Sequence, residues 1–230
     1  MTKVPRSIAA PKAIVFDMDG LLLDTERLAL AAFEKACSRH DVVVDRAIYD
    51  RCIGTSSDGT REILQTAFGQ DLYLRIYRDW SQLYRRRVTT RAVDLKDGAI
   101  EILEMARGMK LPLALATSTQ TELANTKLRL AGLAAFFAAI IGGDAVARAK
   151  PHPEPYLAAA RALGRLPAEC WAIEDSDNGV RAAHAAGLTV FQVPDLVQPS
   201  AAVRGLGHTV LPNLHDVARL LRKHVDPSPV

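Results

Sequence analysis

Cysteine is scarce in this chain of 230 residues, which has only Cys37, Cys52 and Cys170. Three widely separated cysteines are too few for a disulfide framework, and their spacing matches no metal-ligand motif. Sparse, unpaired cysteine is typical of proteins from a reducing compartment. We therefore expect a cytoplasmic protein.

Long hydrophobic runs are absent as well. The most apolar stretch, residues 128–141, is interrupted by Arg129 and Gly132, and it falls short of the roughly 20 apolar residues that cross a membrane. Residues 1–11 lack the apolar segment of a signal peptide and are predicted to form a flexible tail. The sequence therefore predicts no membrane partner.

Neither sign of charge is in strong excess, since 29 lysines and arginines stand against 26 aspartates and glutamates. No basic block marks a nucleic-acid surface, and the signatures of P-loop, zinc-protease, serine-hydrolase and dinucleotide-binding proteins are missing. What is present, with 49% hydrophobic and 24% charged residues, is ordinary globular composition. It suits one large domain or a domain with a smaller insert.

Short apolar segments alternate with helical ones from Gly98 onward, and this alternation predicts βαβ units and a parallel sheet. A first buried strand is predicted earlier, at residues 12–16. The residues between these parts are helical in character and rich in charge. We therefore predict an α/β fold in which a Rossmann-like core (12–24 and 93–230) is interrupted by an all-helical cap domain (25–92).

Polar side chains follow three of the predicted strands at the point where each strand ends. In chain order they are Asp17, Asp19, Thr117, Ser118, Glu174 and Asp175. Ligands of open parallel sheets bind beyond the carboxyl ends of the strands, so these side chains are expected to meet at one edge. Up to four carboxylates would repel one another there without a cation, and hard oxygen ligands suit Mg²⁺.

Lys150, just before a predicted helix, adds a positive charge to this set. Carboxylates, Mg²⁺, a hydroxyl and a lysine together suit a phosphoryl group, whose oxygens need cations and donors. Each element alone has another explanation: Asp-x-Asp-Gly is a common turn, and Ser176 or Asp177 suits a helix N-cap. The order of the four elements at successive strand ends is what indicates a shared site.

These motifs resemble those of haloacid dehalogenase-superfamily hydrolases, in the helical-cap branch of β-phosphoglucomutases and sugar-phosphate phosphatases. The resemblance covers residues 13–221, and the motifs are Asp17-Met18-Asp19-Gly20, Thr117, Lys150-Pro151 and Glu174-Asp175-Ser176. It implies that Asp17 attacks phosphorus and forms an aspartyl-phosphate. Asp19 would act first as general acid and then as general base. Because the dehalogenases of the family lack this acid/base, Asp19 favours phosphoryl transfer.

The resemblance also implies a set of binding residues. The implied Mg²⁺ ligands are Asp17, the main-chain carbonyl of Asp19, Asp175 and, through water, Glu174. The implied phosphate-binding residues are Thr117, Ser118 and Lys150. The implied partner is a small phosphorylated metabolite, and the chain is expected to be a monomer, with a dimer as the alternative.

The helical insertion matches the cap of the family, which is expected to close over the site and exclude water. Thr55 and Ser56 fall where the substrate loop of the cap is expected. Contact with a sugar or similar polyol and an ordinary helix N-cap both remain open for them. The run Arg85-Arg86-Arg87 is interpreted as a solvated helix face rather than a second anion site.

Two positions differ from β-phosphoglucomutases. Their histidine that gates the acid/base corresponds to Ala29, and their cap-loop arginine for the second phosphate corresponds to Ser57. Both absences favour a phosphatase acting on a sugar phosphate or nucleoside monophosphate, and a phosphomutase is the near alternative. The first motif also resembles pseudouridine-5′-phosphatases, which leaves the leaving group undetermined.

A phosphoreceiver signalling domain is the alternative from a different class. Such domains also combine an acceptor aspartate, Mg²⁺, a threonine and a lysine on a parallel sheet. They carry no large helical insert after the first strand, and their acidic pair lies on a different strand from the acceptor. Here Asp17 and Asp19 follow the same strand. A glycosyltransferase with an Asp-x-Asp motif would not require the other three motifs.

Overall fold

Six parallel strands form the central sheet of the computed structural model, which describes residues 8–53 and 57–225. The strands are β1 (Ala13–Phe16), β2 (Leu113–Ala116), β3 (Ala139–Ile141), β4 (Cys170–Glu174), β5 (Thr189–Gln192) and β6 (Thr209–Val210). Their order across the sheet is β3-β2-β1-β4-β5-β6. The predicted α/β fold with a Rossmann-like parallel sheet is confirmed.

The first strand lies in the middle of this sheet. It pairs with β2 on one side and with β4 on the other, both in parallel. The chain therefore winds outward in one direction through β3 and then in the other direction through β6. Such a reversal of strand order is where open α/β sheets bind their ligands. The carboxyl ends of β1, β2 and β4 meet there.

Helices cover both faces of the sheet. One layer contains α5 (Ala99–Gly108), α6 (Thr121–Leu130) and α10 (Leu214–Val225), and the other contains α7 (Glu154–Ala162), α8 (Asp177–Ala185) and α9 (Ala201–Arg204). Alternate residues of β1 serve the two layers, since Ile14 and Phe16 belong to the first apolar core and Ala13 and Val15 to the second. A strand buried on both faces is apolar throughout, as the sequence of β1 is.

Four further helices follow β1 and form a separate helical cap. They are α1 (Thr25–Ser38), α2 (Arg46–Cys52), α3 (Ser57–Phe68) and α4 (Gln70–Thr90). They share their own apolar core, in which the rings of Tyr49 and Trp80 pack on Phe33 at centroid distances of 5.2 Å. The helical cap of the predicted fold class is confirmed, whereas the domain bounds at residues 25 and 92 stay a prediction.

The end of α4 returns from the cap to the α/β core. Val88 is buried in the core cluster beneath the sheet, and Tyr84 packs against the same cluster. Arg87 turns back to donate hydrogen bonds to the carbonyls of Arg91 and Ala92. Arg87, from the run Arg85-Arg86-Arg87, therefore provides donors for two backbone carbonyls just beyond the end of α4. No helix within the described ranges is long and apolar enough to cross a membrane.

Candidate active site

Asp17 is the first residue beyond β1, and its backbone N–H still donates to the carbonyl of Ile173 in β4 at 3.0 Å. The Asp17 side chain is buried, with 6% of the residue exposed. The chain then turns at Gly20, which has φ of +84°. A Cβ atom there would lie 2.3 Å from Oδ2 of Asp175. Glycine therefore permits both the turn and the close approach of the acidic strand end.

Three carboxylates gather at this edge of the sheet. Asp17, Glu174 and Asp175 each offer an oxygen, and these oxygens all lie within 4.8 Å of one another. Burial raises the pKa of Asp17 to about 7 despite the nearby Lys150 charge, and the charge of Glu174 adds to the rise. Burial and the charges of Glu174 and Asp17 raise the pKa of Asp175 well above its ordinary value. Buried, mutually repelling carboxylates of this kind suit a divalent cation with oxygen ligands.

Glu174 is fully buried and already satisfied by protein donors. Its Oε1 accepts hydrogen bonds from Nζ of Lys150 and from the hydroxyl of Tyr156, the latter at 2.7 Å. Its Oε2 accepts from the backbone N–H groups of Asp175 and Ser176 and from the Ser176 hydroxyl, at 3.0 to 3.1 Å. A direct bond to a metal would compete with these donors. This geometry suits the predicted indirect role of Glu174, through water.

Gly179, in the first turn of α8, leaves the space that Glu174 occupies. A Cβ atom at this position would lie 1.7 Å from Oε1 of Glu174. Gly179→Ala is therefore expected to displace the carboxylate, to lower the free energy of unfolding by about 1–3 kcal/mol and to weaken the binding of a divalent cation. Urea unfolding in EDTA and titration calorimetry with Mg²⁺ measure the two effects.

A matched control for this substitution lies in α5. Gly108 is also helical, and a Cβ atom there meets nothing within 4 Å. Gly108→Ala should leave Mg²⁺ affinity unchanged and should keep or slightly raise stability, because alanine is the better helix former. If the two alanine variants behaved alike, the close contact between Gly179 and Glu174 would not matter for the site.

Lys150 is buried between two of the carboxylates. Its Nζ donates to Oδ1 of Asp17 at 2.6 Å and to Oε1 of Glu174, and it lies 5.1 Å from the ring centroid of Tyr156. Burial alone would lower the pKa of Lys150, but Asp17 and Glu174 raise it above its ordinary value. The lysine therefore stays charged and holds Asp17 in place at the floor of the site.

Asp19 has a different set of partners from Asp17. Its Oδ1 accepts from Nζ of Lys127 at 2.7 Å, and its Oδ2 accepts from the hydroxyl of Thr119 at 2.7 Å. Burial alone would raise the pKa of Asp19, but Lys127 lowers it below its ordinary value. The sequence analysis did not single out Lys127 or Thr119. The sequence did contain a signal for Lys127, because this charged residue lies on the same face of α6 as the apolar positions Ala124 and Leu128.

Thr117 and Ser118 follow β2. The backbone N–H of Thr117 donates to the carbonyl of Ile141 at 3.0 Å, and its buried hydroxyl accepts from the N–H of Thr119 at 3.1 Å. The side chain of Thr117 thus shapes the loop after β2 next to Asp19. The Thr117 hydroxyl and the backbone of this loop therefore lie beside the carboxylates, where phosphoryl oxygens would need hydrogen-bond donors.

A cavity of about 450 Å³ lies above these side chains. Its lining brings most of the predicted site together, namely Asp17, Asp19, Thr117, Ser118, Lys150 and Asp175. Glu174 does not line it but supports it from below, through Lys150 and the backbone of Asp175. The volume suits a small-molecule ligand. Thr55 and Ser56 lie outside the described residues, and Ile53, just before them, reaches the cavity wall.

Glu26, in the first turn of α1, also lines the cavity and was not singled out by the sequence analysis. Burial raises its pKa to about 7, and the charges of Asp19 and Asp195 add to the rise. Asp195 lines a neighbouring cavity of about 90 Å³, which shares Ile53, Asp175 and Ser176 with the larger one. The space above the carboxylates is therefore bordered by both the cap and the core.

This fold and this site define a phosphatase-type hydrolase. A model of the haloacid dehalogenase-like hydrolase family matches residues 14–193. The phosphorylated carbohydrates phosphatase of Thermotoga maritima is 29% identical over 213 residues, which cover 92% of this chain and 99% of that protein. The plasmid-encoded protein CbbY of Cupriavidus necator is 31% identical over 229 residues, covering 93% and 90%.

A solved structure shows the same architecture. The crystal structure of a HAD-family hydrolase from Deinococcus radiodurans, with bound phosphate and sodium, superimposes with a TM-score of 0.77. It is 28% identical and covers 94% of this chain, which in turn covers 97% of it. The chain belongs to the haloacid dehalogenase-like hydrolase family, as its four motifs predict.

Proposed function

We propose that the chain hydrolyses the phosphoric monoester of a small metabolite with the help of Mg²⁺, through an aspartyl-phosphate on Asp17. One observation carries this proposal: a buried carboxylate at the end of the central strand, held by Lys150 at 2.6 Å within a cluster of three acids. The Thermotoga maritima relative, named for phosphorylated carbohydrates, supports a sugar phosphate as substrate.

In the first half-reaction, an oxygen of Asp17 attacks phosphorus while the bond to the leaving oxygen breaks. Asp19 must carry a proton in the complex with substrate, although Lys127 lowers its pKa in the free protein; it gives this proton to the leaving oxygen, and an alcohol departs. Thr117, Ser118 and Lys150 hold the non-bridging phosphoryl oxygens. The acyl phosphate that forms on Asp17 is the intermediate.

In the second half-reaction, Asp19 takes a proton from a water molecule, whose oxygen attacks phosphorus. The bond between phosphorus and Asp17 breaks, inorganic phosphate leaves, and both carboxyl groups return to their starting states. Mg²⁺, held by Asp17, Asp175 and the main-chain carbonyl of Asp19, with Glu174 acting through water, would supply positive charge to the phosphoryl oxygens.

A phosphomutase shares this chemistry and is the second candidate. A mutase returns the phosphoryl group to another hydroxyl of the same sugar, so it must hold a second phosphate and delay water. Ala29 offers neither a proton nor a charge, and its carbonyl is occupied by the Trp80 indole N–H at 2.9 Å. This favours hydrolysis over isomerisation. The helical cap and the family match both argue against a phosphoreceiver domain.

Phosphate release from hexose phosphates, pentose phosphates, nucleoside monophosphates and phosphoglycolate tests the proposal. We expect rapid release from one class with Mg²⁺ and none with EDTA. Phosphorus NMR of the same reactions separates the candidates, because a mutase gives an isomeric phosphate ester without inorganic phosphate. If the protein released phosphate equally well in EDTA, the metal-dependent mechanism would be wrong.

The proposal includes a small metabolite as the partner and a reducing cytoplasm as the compartment. The three cysteines are unpaired and buried, which suits such a compartment. A monomer is the proposed state, and a dimer is the alternative. Sedimentation of the purified chain decides between them.

A further inference from the structure

We propose that Lys127 and Tyr84 form a positioning pair that orients the carboxylate of Asp19 and links it to the cap. The inference rests on the proposed function, in which Asp19 moves the proton in both half-reactions. Lys127 belongs to α6 of the core, and Tyr84 belongs to α4 of the cap. The lysine lies between the aspartate and the tyrosine and contacts both.

All three N–H groups of the Lys127 ammonium have acceptors. They are Oδ1 of Asp19 at 2.7 Å, the hydroxyl oxygen of Tyr84 at 2.8 Å and the hydroxyl of Thr119 at 3.4 Å. The Lys127 side chain is 1% exposed, so solvent water cannot replace an acceptor that this ammonium loses. Lys127 does not line the substrate cavity. It therefore acts through Asp19 and not on the substrate.

The carboxylate of Asp19 is held at both ends. Lys127 bonds Oδ1 and the Thr119 hydroxyl bonds Oδ2, so rotation of the carboxylate plane would break one of these bonds. The Asp19 side chain is 22% exposed and lines the cavity, where its proton is needed. A group that transfers a proton must be fixed closely in position and direction. The two bonds supply that fixation from outside the cavity.

Tyr84 makes this orientation depend on the position of the cap. Its ring packs against the core cluster, and its hydroxyl reaches Lys127 across the boundary between α4 and α6. A cap displacement that withdrew Tyr84 would leave one N–H of a buried ammonium without an acceptor. The arrangement of Asp19 seen here is therefore favoured when α4 lies against the core.

The dependence of kcat/KM on the leaving group distinguishes a positioning role of Lys127 from a purely structural one. A sugar alkoxide must be protonated as it leaves, whereas 4-nitrophenolate leaves without a proton. For Lys127→Met we expect kcat/KM to fall by about 100-fold with the sugar phosphate that the wild type hydrolyses fastest. With 4-nitrophenyl phosphate we expect a loss below about 10-fold. Tyr84→Phe should give a smaller loss in the same sense.

Two control variants remove similar groups from the same helices. Arg129→Met removes an exposed cation from α6, and Tyr77→Phe removes a hydroxyl from α4 where the residue is 42% exposed. Both should keep wild-type rates with both substrates. If Lys127→Met does not fold, Tyr84→Phe carries the test, because it removes a single oxygen atom.

Two results would overturn the inference, and they differ from each other. If the variants lost kcat/KM equally with both substrates, the pair would be structural and the proposed phosphatase would stand. If the wild type released phosphate from neither substrate, the proposed function would fail and the positioning role with it. A selective loss with the sugar phosphate alone supports the pair.

Discussion

Asp17→Asn is expected to abolish phosphate release while the protein stays folded. The amide cannot attack phosphorus, so turnover should fall by at least roughly 10⁴-fold. The raised pKa of Asp17 means that its ionised form is disfavoured in the folded protein without metal. That penalty develops as the pH rises from the ordinary pKa of 3.8 to about 7, and it is fully present above that pH. The melting temperature in EDTA at about pH 8 should therefore be unchanged or higher in the variant.

The control for this prediction is an aspartate outside the site. Asp71, exposed in the first turn of α4, undergoes the same chemical change in Asp71→Asn, and this variant should keep wild-type turnover. Labelling with a ³²P-phosphorylated substrate adds a direct test, because wild type should carry the label transiently and Asp17→Asn should not. Labelled Asp17→Asn protein would place the nucleophile elsewhere.

Lys150→Met is expected to have the largest effect on stability. The ammonium is the group that compensates Asp17 and Glu174 in the buried cluster. Removing one partner of a buried ion pair costs about 3–5 kcal/mol, because the other charge stays behind without compensation. Mg²⁺ should restore part of this loss, since a cation bound to the folded state both neutralises the carboxylates and stabilises by mass action.

Urea unfolding in EDTA and in excess Mg²⁺ measures both parts of this prediction. Lys35→Met removes an exposed lysine from α1 and should change neither value. Lys150→Arg keeps the charge and should recover most of the stability but little activity, because the bulkier guanidinium crowds the cluster. A stability loss in Lys150→Met that Mg²⁺ left untouched would argue against a metal among these carboxylates.

The cluster of polar residues at the strand ends could be located from the sequence because the sheet is buried. Strands apolar on both faces stand out from their surroundings, and the polar residues that end them are therefore easy to locate. The helix α10 was not predicted, although its buried residues Leu214, Val217, Ala218 and Leu221 have helical spacing. That spacing was a usable local signal.

The environment of Asp19 could not be predicted in the same way. Asp17 and Asp19 both follow β1, which ends at Phe16, so the alternation of side chains along a strand does not fix the directions of these two side chains. Their carboxylates share one cavity yet have different partners. The partners of Asp19, Thr119 and Lys127, lie 100 and 108 residues further along the chain, and no local pattern reveals such a contact. The predicted metal contact through the main-chain carbonyl of Asp19 stays a prediction.

The central place of β1 has a consequence for synthesis on the ribosome. Lys12 and Glu169, which hydrogen-bond beside the pair of β1 and β4, are 157 residues apart. At roughly 5–20 residues per second, β1 waits about 8–30 s for this neighbour to be made. Even after β2 has been made and has paired with one edge, the other edge of this strand stays unpaired until β4 follows, which favours aggregation or capture by a chaperone. The strand that carries the proposed nucleophile is thus the first of the six described strands to emerge and among the last to be enclosed.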